Sequence, residues 1–309
     1  TSPTNSSVTS STATIGWSAP SPAPSNGYEY YYSTSSSAPT SGTTASGSVS
    51  AGTTSASLSG LTATTTYYYW VRSDCGSDNS DWTSSANFTT LCDPSSIPFT
   101  EGFESGNTNG YAVAGCWSAE SIAGTTPWWA NSTATTYNRT PRTGSFNAVL
   151  PYSNTDWLMY PVSLTSGTEY LFQCYARQDG STSSNASITL AYGTSGSAAA
   201  MTNTVVSATG IINGDYQLIT GTFTPSSTGT FYIGILGTIN GSPWYISLDD
   251  ISLTLAPTCF DPTSPTNSSV TSSTATIGWS APSPAPSNGY EYYYSTSSSA
   301  PTSGTTASG

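Results

Sequence analysis

The sequence predicts an all-β chain: a small β-sandwich, a larger one after it, and then the opening half of the small one again. Three observations carry this. Runs rich in Thr, Tyr, Val and Ile alternate with clusters of Ser, Pro, Gly and Asn at the spacing of sandwich strands. The longer middle segment shows no convincing helical period. Residues 1–47 recur without a change at 263–309, an offset of 262 residues, which convergence cannot produce. The chain therefore divides into 1–91, 92–260 and 261–309 and reads as a window on a tandem array. A lone half-sandwich has open edges and an unburied face, so the expectation is that the array continues or that a second chain completes 261–309.

In the first segment, strands are expected near 6–10, 12–17, 28–34, 54–59, 67–73 and 82–89. Ala13, Ile15 and Trp17 fall on one face of their run, and Tyr67, Tyr69 and Val71 on one face of theirs, as strand alternation requires. Trp17 on the second run, Tyr30 on the third, and Leu61 to Tyr67 before the sixth together resemble a fibronectin type III domain, with Ala63 standing where that family's signature usually has Pro. The resemblance implies a seven-stranded sandwich with Tyr67 as its tyrosine corner. No Arg-Gly-Asp tripeptide is present, so integrin binding is not implied.

Between Cys92 and Cys259 the runs lengthen: 147–152, 156–164, 169–177, 186–193, 216–224, 229–238 and 244–255. So many strands argue for a larger two-sheet sandwich of jelly-roll type. In the last run the apolar set is Ile246, Leu248, then Ile251, Leu253 and Leu255, so the period of two slips once at Asp249–Asp250. Such a slip signals a β-bulge, and bulges re-aim side chains. Two adjacent carboxylates in a chain with so few cations must be solvated, protonated or bound to a cation. The segments IPFTEGFESG at 97–106, GCW at 115–117, DWLMYPVSLTSGTEY at 156–170 and WYISLDDISL at 244–253 resemble, in family order, the cleaved-adhesin and MAM-like jelly rolls of Gram-negative surface proteins. Those modules often alternate with fibronectin type III domains in proteins exported by the type IX secretion system. Carried over residue by residue, the resemblance implies a structural Ca²⁺ held by Glu104, Asp249 and Asp250, with Glu101 a further candidate and backbone carbonyls completing the oxygen shell. A solvated acidic turn is the competing reading.

Five cysteines in a chain that looks secreted read as disulfides with one thiol left over. Cys92 and Cys116 bracket the start of the second domain and are expected to pair. Cys259 lies just ahead of the second copy of residues 1–47, so it is expected to bond the next repeat's equivalent of Cys75, and Cys75 the preceding repeat's equivalent of Cys259. Cys174 shares a strand face with Tyr170, Phe172 and Ala176, where a small buried hydrophobe belongs, and is expected to be a free, inert thiol.

Composition removes most chemistry. Charged residues are 6% of the 309, against roughly 25% in an average soluble domain. Lys and His are absent, and the cations are Arg72, Arg139, Arg142 and Arg177. A serine or cysteine protease triad, a Schiff-base lysine, a P-loop and a His-ligated metal site are excluded by that inventory. A formal net charge of −12 repels a nucleic-acid backbone. No run approaches 18 consecutive apolar residues, so no membrane span is expected within it.

These observations favour a non-enzymatic, extracellular, cell-surface repeat unit of a long adhesin stalk or filament. Its expected partners are neighbouring repeats of the same chain and identical chains in a filament. The alternative is a carbohydrate-binding jelly roll that grips a surface glycan by stacking on Trp128 and Trp129, or on Tyr68 and Trp70 of the first domain. A glycosidase is the least favoured reading. It needs two carboxylates about 5–10 Å apart, which Glu101, Glu104, Asp249 and Asp250 could formally supply, but no partner that would split their pKa values can be named.

Overall fold

A computed structural model describes the chain except residues 1, 133–135, 181–182, 258 and 283–284. It forms two compact units, Thr1–Thr254 and Leu255–Gly309.

The first sandwich contains β1 (Thr4–Ser6), β2 (Thr12–Gly16), β3 (Gly27–Ser33), β4 (Gly47–Ser50), β5 (Ser55–Ser59), β6 (Thr66–Asp74) and β7 (Ala86–Thr89). One sheet has the order β1-β2-β5 and the other β4-β3-β6-β7. Alternation dictates which side chains meet: Ile15, Trp17, Tyr28, Leu58, Tyr69 and Val71 are buried between the sheets. The Tyr67 hydroxyl accepts the Thr62 N–H at 2.9 Å, which is the tyrosine corner. Strand β4 carries a single apolar residue, Val49, so its run holds no alternation to read; its pairing with β3 makes it a strand. Trp70 does not offer the free ring expected of an outward face. It is 1% exposed, because Tyr31 packs against it and Trp82, itself covered by Arg72, packs against Tyr31. Tyr68 is half-buried.

The larger sandwich contains β8 (Phe99–Glu101), β9 (Ser118–Ala123), β10 (Trp129–Asn131), β11 (Asn147–Pro151), β12 (Thr155–Leu164), β13 (Tyr170–Gln178), β14 (Ala186–Gly193), β15 (Asn203–Gly210), β16 (Gln217–Phe223), β17 (Gly229–Ile239) and β18 (Tyr245–Leu255). One sheet runs β10-β11-β18-β13-β16, with β8 also paired to β18; the other runs β15-β14-β17-β12-β9. Ile188, Ile233 and Ile235 of one sheet meet Phe172, Leu248 and Leu253 of the other in one core. The outer face of the second sheet is roofed rather than open. Trp157, Met159 and Ala191 pack under Met201, and Glu120 holds the roof by accepting the Ala198 N–H at 2.7 Å. Gly234 makes this close packing possible, since a Cβ there would strike Met201 and the Trp157 ring. The two sandwiches share a tied connector: Leu91 donates its N–H to Thr9 O, and Ser95 exchanges backbone hydrogen bonds with Pro161 and Ser163.

In the second unit, β19 (Thr263–Ser268) and β20 (Thr276–Ser280) pair as a hairpin. Residues 289–295 have the sequence of strand β3 yet form no strand. Backbone pairing, not propensity, decides between those outcomes.

Candidate functional site: an aromatic surface on the jelly roll

Strands β10, β11 and β18 place two rings on one outward face. Trp129 lies opposite Val149, and Pro151 opposite Tyr245, so the period of two sets all four on the side away from the core residues Ala148 and Leu150. Trp129 and Tyr245 meet edge to face with centroids 6.4 Å apart. Three loop residues extend the surface: Tyr137 lies 5.8 Å from both Tyr245 and Trp244, and Tyr152 lies 5.1 Å from Trp244. Tyr137, Tyr152 and Trp244 are about half exposed, at 46%, 48% and 53%. Five rings thus form one continuous apolar surface beside a shallow cleft of about 450 Å³ lined by Gly110, Ala112, Pro151, Trp129 and Tyr245.

Polar groups fix this surface. The Arg139 guanidinium stacks 4.3 Å from the Tyr245 ring centre and 5.7 Å from that of Trp129, and its Nε donates to Thr136 O at 3.0 Å. Beneath it, Asn131 and Asn147 each donate to the Arg139 carbonyl, and Asn131 donates to Asn147 Oδ1. Both amides are fully buried, so their hydrogen bonds are a condition of the fold. The Trp244 N–H donates to Asp179 Oδ2 at 2.7 Å, anchoring the loop that carries the most exposed of the five rings.

Trp128 is not part of the surface. Its ring is fully buried, with Nε1 donating to the Asp156 carbonyl at 2.9 Å, because its neighbour Trp129 takes the outward direction. Tyr137, Tyr152, Trp244 and Tyr245 escape sequence reasoning because loops or different strands carry them, and no periodicity links them. The run Ser242-Pro243-Trp244-Tyr245, which puts two large aromatics at a strand start, is the one signal that could have found them.

The four candidate calcium ligands lie around the β8–β18 seam, where Glu101 pairs with Ile251. Glu101 accepts the Phe103 N–H at 2.6 Å and the Trp117 Nε1–H at 3.0 Å. Glu104 accepts the backbone N–H groups of Ser145 and Phe146. Asp249 is fully buried and accepts the N–H groups of Arg142, Thr143 and Asp250; burial pushes its carboxyl up to about 6. Asp250, in the left-handed region with φ 46°, pairs with the Arg142 guanidinium at 2.6 Å and accepts the Thr143 hydroxyl. Among the described residues, no three acidic or Cys side chains gather as a metal cluster. The donor set facing these oxygens is N–H, O–H and guanidinium, which does not fit a Ca²⁺ shell of six to eight oxygens.

Cys92 and Cys116 are bonded, with their Cα atoms 5.7 Å apart. Cys75 and Cys259 are exposed free thiols. Cys174 is a buried free thiol, and desolvation raises its pKa, which suppresses the reactive thiolate. No helix among the described residues is long and apolar enough to cross a membrane.

Comparison with known families matches residues 1–89 to the fibronectin type III domain and residues 95–235 to a carbohydrate binding domain. Among solved structures, the K2 cleaved adhesin domain of Lys-gingipain is 22% identical with a TM-score of 0.37, over 52% of this chain and 99% of that one. The K1 cleaved adhesin domain of Lys-gingipain from Porphyromonas gingivalis is 13% identical with a TM-score of 0.37, over 52% and 99%. A xylan-binding domain from Paenibacillus barcinonensis is 13% identical with a TM-score of 0.35, over 53% and 97%. No curated protein matches the chain. The architecture is a fibronectin type III domain followed by a larger jelly roll similar to carbohydrate binding domains.

Proposed function

We propose that the chain is a non-catalytic adhesive unit of an extracellular, cell-surface repeat protein. In this reading the jelly roll binds glycan on the surface formed by Trp129, Tyr137, Tyr152, Trp244 and Tyr245, and the fibronectin type III domain spaces one binding site from the next. The observation that carries the reading is the continuity of five partly exposed rings, fixed from below by buried amides. A sugar ring presents an apolar C–H face flanked by hydroxyls. Rigid aromatic side chains cover the first at low entropic cost, and the phenolic hydroxyls of the three tyrosines serve the second. The carbohydrate binding domain match supports the reading and includes Trp129, Tyr137 and Tyr152. The carboxylates weigh against hydrolysis. Asp249 has the raised pKa of a general acid but is buried behind backbone donors, and Glu101 and Glu104 are committed to N–H groups. The same commitments lead us to infer that hydrogen bonds, rather than the Ca²⁺ implied by the resemblance, hold the β8–β18 seam.

Affinity electrophoresis of the whole chain through gels containing a panel of soluble polysaccharides tests the glycan reading. At least one polysaccharide should retard the chain. Trp244→Ala should weaken that retardation about 10-fold or more, equivalent to about 1.4 kcal/mol, with an unchanged melting temperature. Retardation by no polysaccharide, or equal retardation of the variant, would overturn it.

A further inference from the structure

Three of the four arginines gather on the outward face of the sheet that carries the aromatic surface. Arg177 lies on β13, where it alternates with the buried Cys174 and Ala176, and stacks 4.4 Å from the Tyr216 ring centre. Arg142 stacks 3.5 Å from that of Tyr175, and Arg139 lies over Tyr245 and Trp129. The β10–β11 connection brings them together because it is tied to the sheet at successive residues. Asn138 Nδ2 donates to the carbonyls of Gln178 and Gly214, and the Arg139 carbonyl accepts from Asn131 and Asn147. The Thr140 carbonyl accepts from Arg177 and from the Tyr216 hydroxyl, and Arg142 donates its N–H to Asp249.

In a chain with 16 acids and 4 bases, every arginine has carboxylates to spare. Arg72 pairs with Glu29 and Arg142 with Asp250, yet among the described residues Arg139 and Arg177 form no ion pair. Arg177 spends one nitrogen on Thr140 and leaves its buried Nε without a partner. Arg139 spends Nε on Thr136 and, among the described residues, nothing on Nη1 or Nη2. Stacking does not use these groups, because a ring takes the face of a guanidinium while the N–H donors lie in its plane. Asp249, Asp250 and Asp179, the acids tied to these loops, are already engaged: Asp249 by three backbone N–H groups, Asp250 by Arg142, and Asp179 by the Trp244 N–H.

We propose that the glycan held here is acidic, and that Arg139 receives its carboxylate or sulfate group on Nη1 and Nη2 while the rings beside it cover the sugar. This rests on the glycan reading of the surface and names the class of glycan. A planar guanidinium meets such an anion with two parallel hydrogen bonds, each roughly twice as strong as a neutral one. Because Arg139 is already stacked and hydrogen-bonded, little side-chain freedom is lost on binding. The net charge of −12 repels an acidic polymer only at a distance. At physiological ionic strength that field is screened beyond about 8 Å, so the contact itself decides.

The test measures binding of the whole chain to immobilised polysaccharides by biolayer interferometry at physiological ionic strength. Each acidic polymer stands beside its charge-free counterpart: polygalacturonate and alginate with their methyl esters, and carrageenan with its desulfated form. Xylan and galactan supply neutral chains. At least one acidic polymer should bind about 10-fold or more tightly than its counterpart, and the carboxylate and sulfate arms tell which group Arg139 takes. Arg139→Gln should lower that ratio about 10-fold, and Arg139→Lys, which keeps the charge without the fork, should restore only part of it. The polymer pairs use the unaltered chain and so decide the matter even where a variant melts lower. Charge-free or neutral polymers bound as tightly as acidic ones, or a ratio indifferent to Arg139→Gln, would overturn the acidic ligand and leave the glycan reading standing. Binding to no polymer would overturn both.

Discussion

Asp156 and Asp249 are two fully buried aspartates solved in different ways. Asp249 accepts three backbone N–H groups, whereas neither carboxyl oxygen of Asp156 has a hydrogen-bond partner of good geometry. Burial pushes both carboxyls up to about 6, from an ordinary 3.8. The folded state therefore binds more protons than the unfolded one between those values. The stabilisation is present below about pH 4 and is lost as pH rises through about 6, by up to about 3 kcal/mol per group. Asp156→Asn removes one titration. Its melting temperature should exceed that of the parent chain at pH 7, and the gap should close or reverse at pH 4. A gap independent of pH would refute the assignment. Only one of this pair was legible in the sequence. The slip of apolar period marks Asp249, while Asp156 opens an ordinary strand, and nothing local announces that Trp128 will close over it.

Among the elements, strands with an apolar alternation were legible, the five-residue β2, β5 and β11 included, and strands without one were not. β12, β13, β14, β17 and β18 each carry enough alternating apolar residues to fix their bounds within about two residues. β9 is exposed throughout, and β15 is an edge strand without a fully buried residue; both exist because a neighbour supplies the other half of the ladder. The same heptapeptide as a strand at 27–33 and as irregular chain at 289–295 makes the point within one molecule. The β8–β18 seam is the element whose chemistry most needs measuring. If hydrogen bonds hold it, a chelator should leave the melting temperature of the whole chain unchanged. Arg142→Ala, which removes the ion pair with Asp250 and the stack on Tyr175, should lower stability by about 1 kcal/mol. A chelator-induced drop would instead establish a bound cation.

At the scale of the whole molecule, the sequence conveyed two sandwiches in order and the recurrence of residues 1–47, because composition, strand spacing and self-identity are global properties. It could not convey the aromatic surface, whose five rings belong to two strands and three loops and meet only through tertiary structure. Nor could it convey how the larger sandwich carries tension. Phe99 pairs with Leu253, so the chain enters and leaves the jelly roll on neighbouring antiparallel strands at one pole. Pulling the ends apart would peel β8 from β18 one bond pair at a time, the weakest mode in which a sheet resists force. The Cys92–Cys116 bond reroutes that pull, because β8 lies inside the covalent loop it closes and tension arriving at Cys92 crosses directly to Cys116. In single-molecule stretching, reduction of this bond should lengthen the unfolded chain by the 24 residues it spans, about 80 Å. It should also introduce an early low-force peeling event; a force trace unchanged by reduction would show that β8 carries no tension. The disulfide thus acts as a mechanical bypass for a load applied between the two ends of the jelly roll.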